Sequence, residues 1–306
     1  MPLLFGVTMS KNQNVLVLGG ASWNTMIYLE QLPDGIPKTI ADAQFHDGAG
    51  STGIGKAFAL KQFGYDPALQ IVIGDDERGK KIMAECTTRG VKTIVDLDHA
   101  PTPQHYNLMD KDGQRISIFR ENGAADPKVQ TDRLAPIIAK SDTIFLNITA
   151  SSVPVLPLLE RAKAKVYVDL HDYDGQNPWH EQFIVHADMV QLSDEQLEQP
   201  EMVVRSLLER GMELVVLTKG KEGSTLYTAD EFIEIAPCEA SVKDANGAGD
   251  TFAVALWHAL QEGMLLEIAG KFAASAAALC VESVDIVPRT LTTDAANQRM
   301  NRSKIN

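Results

Sequence analysis

Apolar residues along the chain cluster in short runs separated by amphipathic stretches. Val15-Leu-Val-Leu18 is wholly apolar and ends at Gly19-Gly20; similar, mostly apolar runs recur at Leu69–Ile73, Thr143–Ile148, Val166–Leu170, Met189–Leu192 and Leu214–Thr218. Runs of this length without regular polar alternation read as strands buried on both faces. Between them, Gly55–Phe63, Val153–Ala162 and Glu201–Arg210 carry helical spacing, and in the last Val203/Leu207 and Val204/Leu208 stack at i, i+4. The alternation predicts an α/β fold with a mostly parallel sheet covered by helices on both sides. Two stretches, about 23–46 and 102–122, break the rhythm. Within the second, Tyr106–Phe119 reads as two strands around an Asp-Gly turn. Together they predict a small β-subdomain made of two excursions from one core spanning 1–306. The polar segment Asp285–Asn306 predicts a frayed helix or coil.

Composition narrows the function classes. Hydrophobic residues are 44% of the 306, enough for a large core, and 28 Lys plus Arg against 41 Asp plus Glu give a net charge of −13. That balance argues against a nucleic-acid backbone as partner, which demands a cationic face. Cys86, Cys238 and Cys280 are widely separated and form no CxxC pair, so neither a disulfide framework nor a structural zinc site is expected. Met1–Asn14 lacks an apolar run behind a basic stretch, so no signal peptide is expected. The runs near Leu214–Leu217 and Ala273–Val281 fall short of the roughly 18 residues a spanning helix requires. The expectation is a cytoplasmic protein without a membrane partner.

Three glycine-rich segments carry the candidate chemistry. Gly48–Ala57 contains a GxGxxG spacing and a GxxxxGK spacing ending at Lys56. No buried strand precedes it, Ala57 replaces the hydroxyl a P-loop uses for magnesium, and no Tyr-x-x-x-Lys pair accompanies the Ser-Thr-Gly-Ile-Gly run. Nucleotide binding at this segment is therefore disfavoured; its amides suit a polar substrate or merely start a helix. Asp244-Ala-Asn-Gly-Ala-Gly-Asp250 is followed at once by an apolar helical face of Phe252, Ala255, Leu256, Ala259 and Leu260. Small residues there let successive N–H groups converge on an anion, and Asp250 puts a carboxylate in the same space. That combination suits phosphoryl transfer: amides neutralise the moving phosphoryl group while the carboxylate takes the hydroxyl proton. Taken alone, Asp250 is also explicable as a helix-dipole partner. Thr218-Lys-Gly-Lys-Glu-Gly223 follows the Leu214–Leu217 strand, at the strand ends where open α/β sheets bind ligands.

Together these residues resemble the ribokinase family of sugar kinases, which includes the B-type phosphofructokinases. Asp244–Asp250 is similar to the family's C-terminal signature with Ala245 for threonine, Gly50–Gly64 to its N-terminal signature, Lys219–Gly223 to its nucleotide-loop turn, and Asp110–Arg115 with Gly123-Ala124 to its lid hairpin. The resemblance covers roughly residues 14 to 290. It implies a ribokinase-like three-layer α/β/α core with a small β lid, and an ATP-dependent kinase acting on a hydroxyl of a sugar, polyol or sugar-like molecule. By position, Asp250 would be the base and Gly247, Ala248 and Gly249 the anion hole. Thr218, Lys219, Gly220 and Gly223, with Asp244 and Asn246, would lie on the ATP side. Ser22, Asn24, Gly50, Ser51 and Gly55 would line the sugar pocket. Mg2+ would accompany ATP, held by phosphates and water rather than by assigned metal ligands. Lids of the family often pair, which adds a homodimer through the lid to the expectations.

The departures lie mostly at the sugar end. Asn24 replaces an aspartate, Gly55 an asparagine and Ser51 a glycine, while Ser193-Asp-Glu-Gln196 stands for Asn-x-x-Glu near the phosphates. Asn24 keeps donor and acceptor but no charge, and Gly55 is expected to leave room for a bulkier group. The substrate is then expected not to be ribose. A nucleoside kinase on the same fold, and a sensor without turnover, remain alternatives. Asp169–Asp174 with His180 and His186 matches no metal-ligand spacing; Asp169 ends a strand on the expected site edge, and a solvated turn is the favoured reading. Trp179 and Trp257 read as core, and Trp23 as a surface on which a ligand could stack.

Overall fold

The computed structural model describes residues 13–111 and 113–302. Most of the Met1–Asn14 segment, Asp112 of the lid turn and the last four residues lie outside that range. In chain order the strands are β1 (Val15–Leu18), β2 (Ser22–Leu29), β3 (Gln44–Gly50), β4 (Ala68–Gly74), β5 (Lys92–Asp98), β6 (Gln104–Asp110), β7 (Arg115–Glu121), β8 (Thr143–Asn147), β9 (Lys165–Asp169), β10 (Met189–Ser193), β11 (Leu214–Thr218), β12 (Ser224–Tyr227) and β13 (Phe232–Ile235). The helices are α1 (Thr52–Gln62), α2 (Glu77–Thr88), α3 (Thr131–Ile138), α4 (Leu156–Leu159), α5 (Pro178–Ile184), α6 (Pro200–Glu209), α7 (Ala248–Gln261), α8 (Leu266–Val281) and α9 (Thr293–Arg302).

Nine strands form the core sheet in the order β13-β12-β11-β10-β9-β8-β1-β4-β5. The seven from β11 to β5 are parallel, and β12 and β13 close one edge antiparallel. Alternate residues of the buried strands feed opposite faces. Val15 and Val17 join a cluster with α1, α2, α7 and α8, whereas Leu16 and Leu18 join one with α3–α6. This period of two, apolar on both sides, makes the strands readable as continuous runs. After β1 the chain builds outward through β4 and β5, then resumes at β8 and builds the other way. The strand order reverses between β1 and β8, the place where open α/β sheets form a ligand crevice. Asn147 fixes that junction, its Nδ2 donating to the carbonyls of Leu18 and Gly19 at 2.9 and 3.0 Å.

A second sheet, in the order β3-β2-β6-β7, forms the lid; β2–β3 and β6–β7 are antiparallel and β2–β6 is parallel. It includes β3, so the polar stretch leading into α1 is a strand after all, belonging to the lid rather than the core. The segment expected as a helix over Val153–Ala162 contracts to a 3-10 turn at Ala150–Val155 followed by the four-residue α4. Pro154 and Pro157 remove the amide donors that a longer helix would use. Of the tail expected to end in a frayed helix or coil, Thr293–Arg302 forms α9 and buries Ala296 and Met300, and the last four residues lie outside the described range. Of the tryptophans read as core, Trp257 is buried but Trp179 is 39% exposed. Among the described residues no helix is long and apolar enough to cross a membrane.

Candidate active site

The start of α7 is set by Gly247. Its φ of +77° is left-handed, and a Cβ there would sit 2.1 Å from the Ile286 carbonyl oxygen, so only glycine fits. The turn leaves the first helical amides exposed. Among the described residues the N–H groups of Gly247, Gly249 and Asp250 have no hydrogen-bond partner, and Ala248 N makes only a 3.4 Å contact with the Ala245 carbonyl. Such donors at a helix N-terminus form an anion site. Gln191 on β10 donates to the Gly249 carbonyl at 3.1 Å and ties this turn to the sheet edge.

Asp250 lies in the same first turn, with its side chain 11% exposed. Its carboxylate is not bare. Oδ1 accepts from Lys56 Nζ at 2.5 Å and faces the Thr52 hydroxyl at 2.7 Å. Oδ2 stands over Gly55, where a Cβ would come within 2.5 Å of it. The room left by Gly55, expected to serve a bulky substrate group, is thus occupied by the Asp250 carboxylate. Lys56 is itself buried and also donates to Thr52 Oγ1 at 2.5 Å and Asp169 Oδ2 at 3.1 Å. Burial alone would lower the ammonium, but the charges and hydrogen bonds of Asp250 and Asp169 outweigh it and hold it above the usual lysine range. Asp169 is likewise buried, not in a solvated turn. Burial would raise its carboxyl, yet the His171 and Lys56 charges and hydrogen bonds bring it down to about 2.

The other expected residues divide into groups. Thr218 ends β11, its hydroxyl donating to the Leu192 carbonyl at 3.2 Å. Lys219 N donates to the Gly223 carbonyl at 2.8 Å, closing a turn whose Gly220 is exposed, on the same sheet edge as Gln191. The side chains of Asp244 and Asn246, expected on the nucleotide, are committed to the lid. Tyr28 donates to Asp244 Oδ2 at 2.9 Å and Arg115 to Asn246 Oδ1 at 2.7 Å. Asp194 and Glu195 lie just past β10, where the Asp194 amide donates to the Thr218 carbonyl at 3.1 Å. Ser22 donates to Asn24 Oδ1 at 2.6 Å, and the Asn24 amide covers Gly50. Trp23 packs on the core with the Lys81 ammonium 5.2 Å from its ring centroid, so that face is already covered.

Between lid and core lies a cleft of about 150 Å³, walled by Gly20, Ser51, His105, Phe119, Gly123 and Ser151. Asn24 and Gly50 instead line a smaller space of about 30 Å³ with Arg89, Asp244 and Asp285. In the larger cleft His105 stacks on Phe119 with ring centroids 4.0 Å apart, and burial pulls its imidazole down to about 4, leaving a neutral ring at the wall. Among the described residues no group of three His, Cys, Asp or Glu side chains is placed to hold a metal ion. Lys56, Thr52 and Tyr28 were not singled out as site residues from the sequence. The available signal was Lys56 itself, the one charge in the stretch Ile54–Leu60, since a buried lysine demands partners.

The arrangement combines an anion-binding turn, a carboxylate with one oxygen uncommitted, and a lid-covered crevice at the sheet's switch point. Comparison with known proteins shows the family. A family model described as pfkB family carbohydrate kinase matches residues 12–170 and 182–289. The chain is 32% identical over 251 residues to acarbose 7(IV)-phosphotransferase of Actinoplanes sp., covering 80% of this chain and 84% of that protein. It is 26% identical over 298 residues to ribokinase of Arabidopsis thaliana, covering 90% and 77%. A solved microbiome-derived acarbose kinase superposes with a TM-score of 0.85 at 25% identity, over 95% of this chain and 99% of the other. Arabidopsis thaliana ribokinase complexed with ribose and ATP shares the fold at TM-score 0.75 and 24% identity, over 94% and 98%. The family match covers most of the chain and both sheets, and the chain belongs to the pfkB family of carbohydrate kinases, which are phosphotransferases.

Proposed function

We propose that the protein transfers the γ-phosphoryl group of ATP to a hydroxyl of a sugar or sugar-like substrate held under the lid. The observation that carries this is the placement of Asp250 Oδ2 in the same helical turn as unpartnered amides. The acceptor oxygen attacks the γ-phosphorus as the bond to the β–γ bridging oxygen breaks. The hydroxyl proton passes to Asp250 Oδ2, and ADP leaves. Gly247, Ala248 and Gly249 supply donors for the charge on the transferring group. The Thr218–Gly223 turn lies along the nucleotide. Magnesium, when bound with ATP, neutralises phosphate charge; phosphates and water would hold it, with Asp194 and Glu195 the first acidic residues past β10.

Two similar proteins carry acarbose in their names, and in this chain Ser51 and the neutral His105–Phe119 stack wall the cleft under the lid. Aromatic faces of this kind suit the C–H faces of sugar rings. We take the substrate to be larger than a free pentose. An exposed apolar strip on the outer face of the lid, Phe45, Ile116 and Ile118, supports pairing of two lids into a homodimer. Cys86 and Cys280, buried as thiols, fit a reducing, cytoplasmic location.

An ATP-consumption screen over acarbose, other oligosaccharides, hexoses, pentoses, sugar phosphates and nucleosides tests this reading. ADP release above background with a saccharide is the expected result. Preference for nucleosides would move the assignment to a nucleoside kinase, and ATP binding without transfer to any acceptor would contradict it.

A further inference from the structure

Lys56 is 2% exposed, and the residues around it on α1 (Ile54, Ala57, Phe58, Ala59 and Leu60) are apolar and buried. An apolar side chain would pack there without the cost of removing a charge from water. The ammonium is instead held by three groups from different elements: Thr52 of α1, Asp169 at the end of β9 and Asp250 of α7. Asp169 is fixed in turn by the His171 amide, which donates to its Oδ1 at 3.0 Å. The result is a rigid line from the sheet, through Asp169 and Lys56, to one oxygen of Asp250.

That line has a directional consequence. Lys56 and Thr52 both lie against Oδ1, so Oδ2 is the oxygen left for another partner. Two carboxylates facing one ammonium leave a net negative charge on the three groups, which keeps a proton acceptor available. A carboxylate free to rotate would present either oxygen at variable distance from an acceptor hydroxyl. A misplacement of about 1 Å costs about a hundredfold in rate.

We propose that Lys56, anchored by Asp169, is a positioning residue that fixes the Asp250 carboxylate so that Oδ2 receives the substrate proton. This rests on the reading of Asp250 as the base.

The test uses full-length protein with ATP and acarbose, or the best acceptor of the screen where acarbose is not turned over. Steady-state kinetics compare wild type, Lys56→Met, Lys56→Met/Asp169→Asn, Asp250→Asn and Lys56→Met/Asp250→Asn. The second variant removes the buried carboxylate that Lys56→Met would strand, so it keeps folding separate from catalysis. Expected are a kcat lower by about a hundredfold in Lys56→Met and in the Asp169 double variant, and a KM for ATP within about twofold of wild type. On the Asp250→Asn background, loss of Lys56 should cost less than about twofold, because a group acting only through Asp250 has nothing left to position. Recovery of wild-type kcat in Lys56→Met/Asp169→Asn would show that Lys56 merely neutralises Asp169 and would overturn the proposal. Multiplicative losses on the Asp250→Asn background would overturn it too. Near-wild-type turnover in Asp250→Asn itself, or a wild type inactive on every acceptor, would instead remove the base reading and this proposal with it.

Discussion

The Tyr28 phenol on the lid donates a 2.9 Å hydrogen bond to Asp244 Oδ2, joining the lid to the segment that opens α7 across 216 residues of sequence. Burial and the Asp244 charge push the phenol well above the ordinary tyrosine range, so it remains a donor at neutral pH. Asp244 holds the Asn246 amide through its other oxygen at 2.8 Å, and Arg115 reaches Asn246 from β7. Lid position and the shape of the anion turn are therefore coupled. Tyr28→Phe removes one hydrogen bond to an acidic group, and kcat/KM for the sugar-like acceptor is expected to fall about tenfold with little change in melting temperature. An unchanged kcat/KM would show that the contact does not govern closure.

Gly55 separates two accounts of the rewritten sugar end. If its missing side chain served the substrate, Gly55→Ala would act on the KM of the acceptor. The Cβ would instead lie 2.5 Å from Asp250 Oδ2 and 2.9 Å from its Cγ. The carboxylate must move, and the expected result is a kcat lower by about 10–100-fold with the acceptor KM nearly constant. Steady-state kinetics on the purified variant decide between them.

Acid should loosen the protein through Asp169. Its carboxyl is held at about 2 against an ordinary value of 3.8, so it binds protons more weakly folded than unfolded. The stability this contributes is complete above about pH 4 and is lost as pH falls through about 2. Asp169→Asn is expected to cost about 3 kcal/mol near neutral pH, the low end for breaking a buried pair because Lys56 keeps Asp250. In urea melts the gap between variant and wild type should narrow from pH 4 to pH 2. A gap independent of pH would contradict the ion-pair account.

Thiol chemistry checks the packing independently. Cys86 and Cys280 are buried, which pushes both thiols up to about 12, whereas Cys238 is half-buried and borders exposed residues. A chromogenic disulfide reagent at pH 8 should label one thiol quickly in the native protein and three after unfolding. Rapid labelling of more than one native thiol would mean that α2 or α8 is less tightly packed than described.

What could be read from the chain followed the range of the interactions. The core strands were legible because their burial on both faces leaves continuous apolar runs. The anion turn was legible because Gly247, Ala248, Gly249 and Asp250 are consecutive and open a helix. α2 escaped because only Gly79, Ile82 and Cys86 of its twelve residues are buried, too sparse a stripe to show a period. α4 was overextended because apolar spacing persists through Pro154 and Pro157. The acidic partners of Lys56 lie 113 and 194 residues away, and no local pattern announces them. For the same reason the Asp250 carboxylate could be anticipated but its pairing could not, and Asp244 and Asn246 were assigned to the nucleotide when their side chains hold the lid.

Asp250 is assigned to take the proton of the acceptor hydroxyl. Asp250→Asn keeps the volume of the side chain while removing the acceptor charge, and Lys56 retains Asp169. Turnover with the best acceptor of the screen, measured alongside ATP affinity by calorimetry, tests the claim most directly. The expected kcat is lower by about 10²–10⁴-fold with ATP affinity within about twofold of wild type; a variant that turns over within a few-fold of wild type would show that Asp250 is not the base.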